Sequence, residues 1–266
     1  MTDLGVSERR ACDALDVARS TIRYEAQPED ETNAWLREKL RALSSKHRRY
    51  GTPRMTALVR REKELNHKRV ERIWQEEGLP VPRKRHRYRP STPMSERPDA
   101  PTGPNEVWCC DFINTKTEYG AKLKILTVLD EFTRESLEIR SERRMRSFEV
   151  LETMDELFAE RGAPKFLRSD NGSEFTASLL VSWLAEQGVR PIHIEPGCPW
   201  QNGYIESFHD KFRSECLNEE LFFSRGESQV IFDRWRTEYN EERPHSSLGY
   251  LTPAAFAGAV GQSHVH

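Results

Sequence analysis

Two carboxylates, Asp170 and Glu206, stand with 35 residues between them. Asp170 lies in SDNGSEF, closing an apolar run that reads as a strand, and Glu206 lies in GCPWQNGYIESFHDKFR, which has helical periodicity. A third acid, Asp111, sits mid-run in VWCCDFI, where alternation puts it on the side of Val107, Cys109 and Ile113. An unpaired charge is unfavourable there, and a metal ion relieves that cost. Three convergent carboxylates suit Mg²⁺, a hard cation that takes oxygen ligands and is often shared with phosphate groups. Two such ions about 4 Å apart activate the attacking oxygen and stabilise the leaving one in an in-line displacement at phosphorus. The chemistry indicated is phosphodiester cleavage or transfer. Arg213, two helical turns beyond Glu206, falls on the same face and is placed to hold a phosphate or an end base. His209 and Asp210 are expected on that polar face as well, while Ile205, Phe208 and Phe212 face inward. A single histidine beside a metal is more often a hydrogen-bonded neighbour than a ligand, and His209 is read so here, as is His193.

The elements around these acids have a definite order. VWCCDFI, KLKILTVLD and SLEIR are β-rich runs with turns at Tyr119-Gly120 and around Phe132, an antiparallel meander. A helix from Ser147 to Arg161 follows, with Val150, Leu151, Met154, Leu157 and Phe158 on one stripe. KFLRSD is a short strand, TASLLVSWLAEQG a capped helix, VRPIHI another strand, and the Glu206 helix comes next. Three meander strands followed by α-β-α-β-α predict an α/β chain of ribonuclease H-like type, a mixed five-stranded sheet with helices on both faces. The acids converge if the fourth strand neighbours the first. Farther on, Trp235 and Tyr239 have the spacing of core residues, and Arg243, Pro244 and His245 read as a structural turn ending their helix.

The N-terminal part is all helical and basic. Residues 1 to 104 hold 23 Lys and Arg against 16 Asp and Glu, whereas residues 105 to 266 hold 18 against 27, so a near-neutral total hides two halves of opposite sign. Residues 37 to 89 alone carry 18 basic and 6 acidic side chains, a density suited to a polyanion such as DNA. SERRACDALDVARSTIRY reads as two short helices breaking near Asp16, with Ala11, Leu15, Val17 and Ile22 between them and Arg19, Ser20, Thr21 and Arg23 outside. A second pair follows. Thr52 is a candidate cap with Pro53 in the first turn, and Asn66 caps a helix with Val70, Ile73 and Trp74 inside, Lys68, Arg69 and Arg72 outside and Gly78 at its stop. Seven prolines between Pro80 and Pro104, headed by RKRHRYR, mark an extended linker along which Arg83, Lys84, Arg85 and Arg87 can track phosphates. The expected division is a helix-turn-helix region over 1–79, a linker over 80–104, a catalytic core over 105–222, and a C-terminal helix and tail over 223–266.

Other classes are disfavoured. No run approaches the roughly 20 apolar residues of a membrane span. The five cysteines, Cys12, Cys109, Cys110, Cys198 and Cys216, are odd in number and form no C-x-x-C pair, against a disulfide framework or a structural zinc site. A cytoplasmic, nucleoid-associated protein is expected.

WCCDF, SDNGSEF and PGCPWQNGYIESFHDKFR resemble the three acidic motifs of the D,D(35)E integrase core shared by retroviral integrases and insertion-sequence transposases. DRWRTEYNEERPHSSLGYLTPAAF is similar to the C-terminal signature of the IS-three insertion-sequence family, and RRYGTPRMTALVRRE with NHKRVERIWQEEGL to its upstream helix-turn-helix. The resemblance implies Asp111, Asp170 and Glu206 as catalytic and metal-binding triad, followed by Arg213. It implies Mg²⁺, with Mn²⁺ able to substitute, as cofactor, two ions serving hydrolysis to a 3′-hydroxyl and then strand transfer. It implies DNA partners, the element's terminal inverted repeats and the target, a homo-oligomer on that DNA, and a possible upstream-frame protein as partner or fusion. Cys198 in PGCPW departs from the usual pattern. A ribonuclease H-like nuclease would use the same metal chemistry without needing the helix-turn-helix units, and a non-catalytic DNA-binding regulator would not need the three acids intact.

Overall fold

Val, Ile and Leu crowd three runs beyond residue 105, and in a computed structural model these runs form the antiparallel half of a five-stranded sheet. The structure describes residues 6–23, 30–81, 100–195 and 198–263. Strands β1 (Val107–Lys116), β2 (Lys122–Asp130) and β3 (Ser136–Glu142) make the meander, its first turn passing through Gly120 at φ 79°. Strands β4 (Phe166–Ser169) and β5 (Arg190–His193) add in parallel, giving the order β3-β2-β1-β4-β5. The fourth strand therefore lies beside the first, as convergence of the acids requires.

β1 is central, so its first four residues are buried on both faces. One face carries Trp108, Cys110, Leu126 and Val128 and is covered by α6 (Ser147–Arg161) and α8 (Ser178–Glu186) through Val150, Met154, Leu180 and Leu184. The sequence places TASLLVSWLAEQG in one capped helix, and α8 lies within it, beginning after Ala177 rather than Thr176; a separate single turn, α7 (Ser173–Thr176), precedes it and buries Phe175. The other face carries Cys109, Ile113, Ile125 and Leu129 under α9 (Gly203–Phe212) and α10 (Arg225–Glu241). Phe208 meets Tyr239 edge-on at 5.0 Å, and Phe212 meets Phe232 at 5.1 Å. Burying each such ring contributes about 1.5–3 kcal/mol, so α9 is firmly seated. Trp235 and Tyr239 are core residues, as their spacing predicts. The chain ends in α11 (Pro253–Ser263).

The N-terminal region is helical throughout. α1 (Glu8–Leu15) breaks at Asp16, at φ 51°, before the single turn α2 (Arg19–Ile22). Cys12 rather than Leu15 is buried there, and Arg19 and Arg23 both turn back to Glu8. α3 (Glu31–Lys46), α4 (Thr52–Arg60) and α5 (His67–Glu76) share a core of Leu36, Leu40, Met55, Val59, Ile73 and Trp74. Asn66 caps α5 through Lys68 N at 3.0 Å, but Gly51, not Thr52, occupies the capping position of α4.

This helical region rests on α10 and the segments that flank it. His47 Nδ1 lies 3.0 Å from Glu238 Oε1, Lys46 Nζ 2.5 Å from Glu242 Oε2, and Arg49 Nε 2.7 Å from Glu219 Oε1. Arg61 also donates to the Glu242 carbonyl at 2.9 Å. Among the described residues no helix is long and apolar enough to cross a membrane.

Candidate active site

Asp111 lies midway along β1, opposite Thr127 of β2. Alternation puts it on the face of Cys109 and Ile113, under α9, as the sequence predicts. Cys109 pairs with Arg168 in the parallel β1–β4 register, and the same register carried two residues on sets Asp111 level with Asp170. Two neighbouring strands thus bring two acids to one sheet face.

Each acid is held by its own backbone. Asp111 Oδ1 accepts from Phe112 N at 2.7 Å, and Asp170 Oδ1 accepts from Gly172 N at 2.9 Å. At Gly172 a Cβ would come within 2.9 Å of that Asp170 oxygen, so glycine leaves the carboxylate its place. His193 Nδ1 lies 3.2 Å from Ser169 Oγ and 3.3 Å from the Asp170 carbonyl, a neighbour as expected. Glu206 is half-buried in the first turn of α9, which Ile205, Phe208 and Phe212 fix against the sheet. Arg213 follows, exposed, at the start of a π-helical turn (Arg213–Leu217).

Burial pushes the Asp111 carboxyl up to about 6; the Phe112 N–H opposes this, Asp170 and Glu206 add to it, and Arg213 offsets part of it. Three acids and one arginine therefore act within one field. Among the described residues no group of three His, Cys, Asp or Glu side chains is placed to hold a metal ion, so the expected convergence of Asp111, Asp170 and Glu206 stops short of a ligand set. Oxygen donors whose mutual repulsion and burial disfavour the charged state are chemically matched to a hard divalent cation.

His209 differs from its expected place. It is buried, 5% exposed, rather than on the polar face with Glu206. Its Nε2 lies 2.8 Å from Thr127 Oγ1, whose hydroxyl is also 3.1 Å from the Asp111 carbonyl, and its Nδ1 is 3.7 Å from Asp111 Oδ2. Burial, then Arg213, hold its imidazole down to about 3, so it is neutral. Its position one turn after Ile205 is the signal the sequence offers; Thr127 gives none, because its role depends on strand register. Sequence reasoning also misses the buried Arg168–Glu131 pair beside the site, at 2.9 Å.

Of the expected DNA contacts, Lys68 and Arg72 are exposed on α5, Arg72 pairing with Glu76 at 3.1 Å. Arg69 is half-buried and bonded to Asn33 and Asp30, so its charge is engaged within the helical region. Arg83, Lys84, Arg85 and Arg87 lie outside the described residues.

The chain matches the integrase core domain family over residues 101–199 and 187–253, and an HTH-like domain over residues 31–88. It is 42% identical over 257 residues, 96% of this chain and 91% of the relative, to the insertion element IS407 uncharacterized 31.7 kDa protein of Burkholderia multivorans. It is 26% identical to transposase InsF for insertion sequence IS3A of Escherichia coli, over 82% of this chain and 80% of that one. The fold is shared with the simian T-cell lymphotropic virus intasome, solved in complex with PP2A regulatory subunit B56 gamma, at TM-score 0.50 and 16% identity over 83% of this chain and 74% of that one. Forty-two per cent identity over nearly the whole chain to an insertion-element protein, joined to an integrase core behind a helix-turn-helix-like domain, shows that the chain belongs to the IS-three family of bacterial insertion-sequence transposases, enzymes of the DDE transposase/integrase type.

Proposed function

We propose that this transposase cuts the ends of its element by hydrolysis and joins them to target DNA by transesterification, with Asp111, Asp170 and Glu206 as the catalytic, metal-holding acids. The observation that supports this reading is that Asp111 lies on β1 and Asp170 directly follows the adjacent parallel β4, within the field of Glu206. Mg²⁺ suits these donors, Mn²⁺ can replace it, and a pair of such ions supplies positive charge to the attacking and leaving oxygens of an in-line displacement.

The protein's own groups prepare that arrangement. Backbone N–H groups of Phe112 and Gly172 orient one oxygen each of Asp111 and Asp170, leaving the second oxygens for ligation. Neutral His209 adds no positive charge to compete for Asp111. Exposed Arg213 receives a phosphate of the bound strand. In the first step a water oxygen attacks phosphorus and the P–O3′ bond breaks, leaving a 3′-hydroxyl on one side and a 5′-phosphate on the other. In the second, that 3′-oxygen attacks a target phosphodiester, its proton is lost, and the target's own 3′-oxygen leaves.

Lys68, Arg69, Arg72 and the linker bases Arg83, Lys84, Arg85 and Arg87 are the proposed DNA-backbone contacts outside the core. The chain acts as a homo-oligomer holding two element ends, alone or with an upstream-frame protein, on DNA in the cytoplasm. The boundaries 1–79, 80–104, 105–222 and 223–266 remain the proposed division.

The test uses purified full-length protein, Mg²⁺ and duplexes carrying the element ends. Nicking and joining are expected with the wild type and lost with Asp170→Asn, while DNA binding persists. Strand transfer by that variant would overturn the assignment.

A further inference from the structure

The turn that ends α10 has a second role written in its surroundings. Between α4, α9 and that turn lies a cavity of about 560 Å³ whose wall includes Glu206, Arg54, Arg168, Lys211, Arg243 and His245. Four of these six are basic side chains and one is an acid. Arg243, 1% exposed, is clamped by Glu215, with Nε 2.7 Å from Oε2 and Nη2 2.6 Å from Oε1. Arg54 reaches the same carboxylate only at 3.9 Å, so one negative charge serves two guanidiniums. Lys211 Nζ donates to the Ser207 carbonyl at 2.8 Å and to its hydroxyl at 2.6 Å, both neutral.

The cavity's donors are also incompletely used. Arg243 Nη1, Arg168 Nε and His245 Nε2 are buried without a protein hydrogen-bond partner, and all three residues are at least nine-tenths buried. Buried polar atoms are normally paired, and three orphans around one cavity are unusual. The cations also register each other's charge. Burial and then Arg243 lower both Lys211, to about 8, and Arg54. A cluster of this kind is relieved by an anion that accepts several hydrogen bonds, and an arginine fork with a lysine matches a phosphate group.

We propose that this cavity binds a backbone phosphate of the DNA strand that passes Glu206, making Arg243 and His245 parts of a strand-holding site as well as a helix stop. The occupant rests on the transposase reading; the anion site itself does not. Glu206, Ser207 and Lys211 follow one another along α9, so a strand reaching the Glu206 carboxylate has the cavity directly beside it. A volume of this size admits a sugar-phosphate unit.

The test is modification of Lys211 by an amine-acylating reagent at neutral pH, read by mass spectrometry on the full chain. Duplex carrying the element end, at roughly ten times its dissociation constant, should slow that modification about tenfold. Unchanged labelling under saturating DNA overturns the proposal. Equal protection by inorganic phosphate at the same phosphate concentration also overturns it, because the occupant is then a free anion. As a second measurement, Arg54→Gln and Lys211→Gln should each flatten the slope of log binding constant against log salt by about one, while the melting curves confirm folding. Slopes equal to the wild type would count against the site. Protection of Lys211 without nicking by the wild type sinks the transposition chemistry and keeps the site; nicking without protection does the reverse.

Discussion

His209 and Thr127 meet through a 2.8 Å contact beneath the sheet face that carries Asp111, and the same Thr127 hydroxyl reaches the Asp111 carbonyl at 3.1 Å. A side chain on α9 is thereby tied to the strand residue whose carboxylate is proposed to hold the metal. Thr127→Val breaks both ties. We expect nicking to fall about 10- to 100-fold, with a raised Mg²⁺ requirement, as for other outer partners of metal ligands. A magnesium titration of the nicking rate decides this, and a change below twofold would reduce Thr127 to packing.

Gly172→Ala isolates the other acid. At φ −58° the backbone accepts alanine without strain, so the melting temperature should hardly move. The new methyl group displaces Asp170 Oδ1, and end cleavage should drop by at least the same order as for Thr127→Val. Full activity in a normally folded variant would show that this placement of Asp170 Oδ1 is dispensable.

Arg168 and Glu131 form a pair that is almost wholly out of solvent, with both Glu131 oxygens within 3.0 Å of Nη1. Burial pushes the Glu131 carboxyl up to about 7 despite the guanidinium beside it. Arg168→Leu leaves that carboxyl buried alone and should cost about 3–5 kcal/mol, whereas changing both residues to apolar ones of similar volume should recover much of it. Urea unfolding of the two single variants and the double variant measures this.

Stability should also fall in mild acid. His245 is held down to about 2, first by burial and then by Arg243, Lys211 and Arg54. A histidine whose folded value lies below its unfolded value near 6.5 stabilises the fold above 6.5 and loses that contribution as pH falls toward 2. One unit below 6.5 the loss is about 1.4 kcal/mol. Comparing urea midpoints at pH 7.5 and 5.5, the wild type should lose about this much more than His245→Asn. An identical loss in both proteins would contradict it.

Much of the fold and the site is legible in the amino-acid order. α6 spans the residues its stripe predicts, and the β-rich runs are strands, because apolar periodicity in a mixed sheet is set by which face is covered. The single turn α7 is hidden because its four residues are too few to show a helical period. His209 is polar by type and buried by position. The basic density of residues 37–89 overstates the charge open to DNA, since Arg37, Arg41 and Lys39 are answered by Glu76, Glu77 and Glu62 across helix contacts that no local pattern reveals. Arg243 and His245 read as a turn because their neighbours, Arg54 and Lys211, are distant in the chain.

The contacts from Lys46, His47, Arg49 and Arg61 to α10 and its flanks pin the helical region to the helix that covers the sheet face of Asp111. The interval between the DNA backbone that α5 is proposed to hold and the bond proposed to be cut beside Glu206 is then graduated by these pins. Residues added to or removed from the 82–99 segment should leave the cut where it was, whereas reversing the charges of Glu238 and Glu242 should blur it across neighbouring nucleotides.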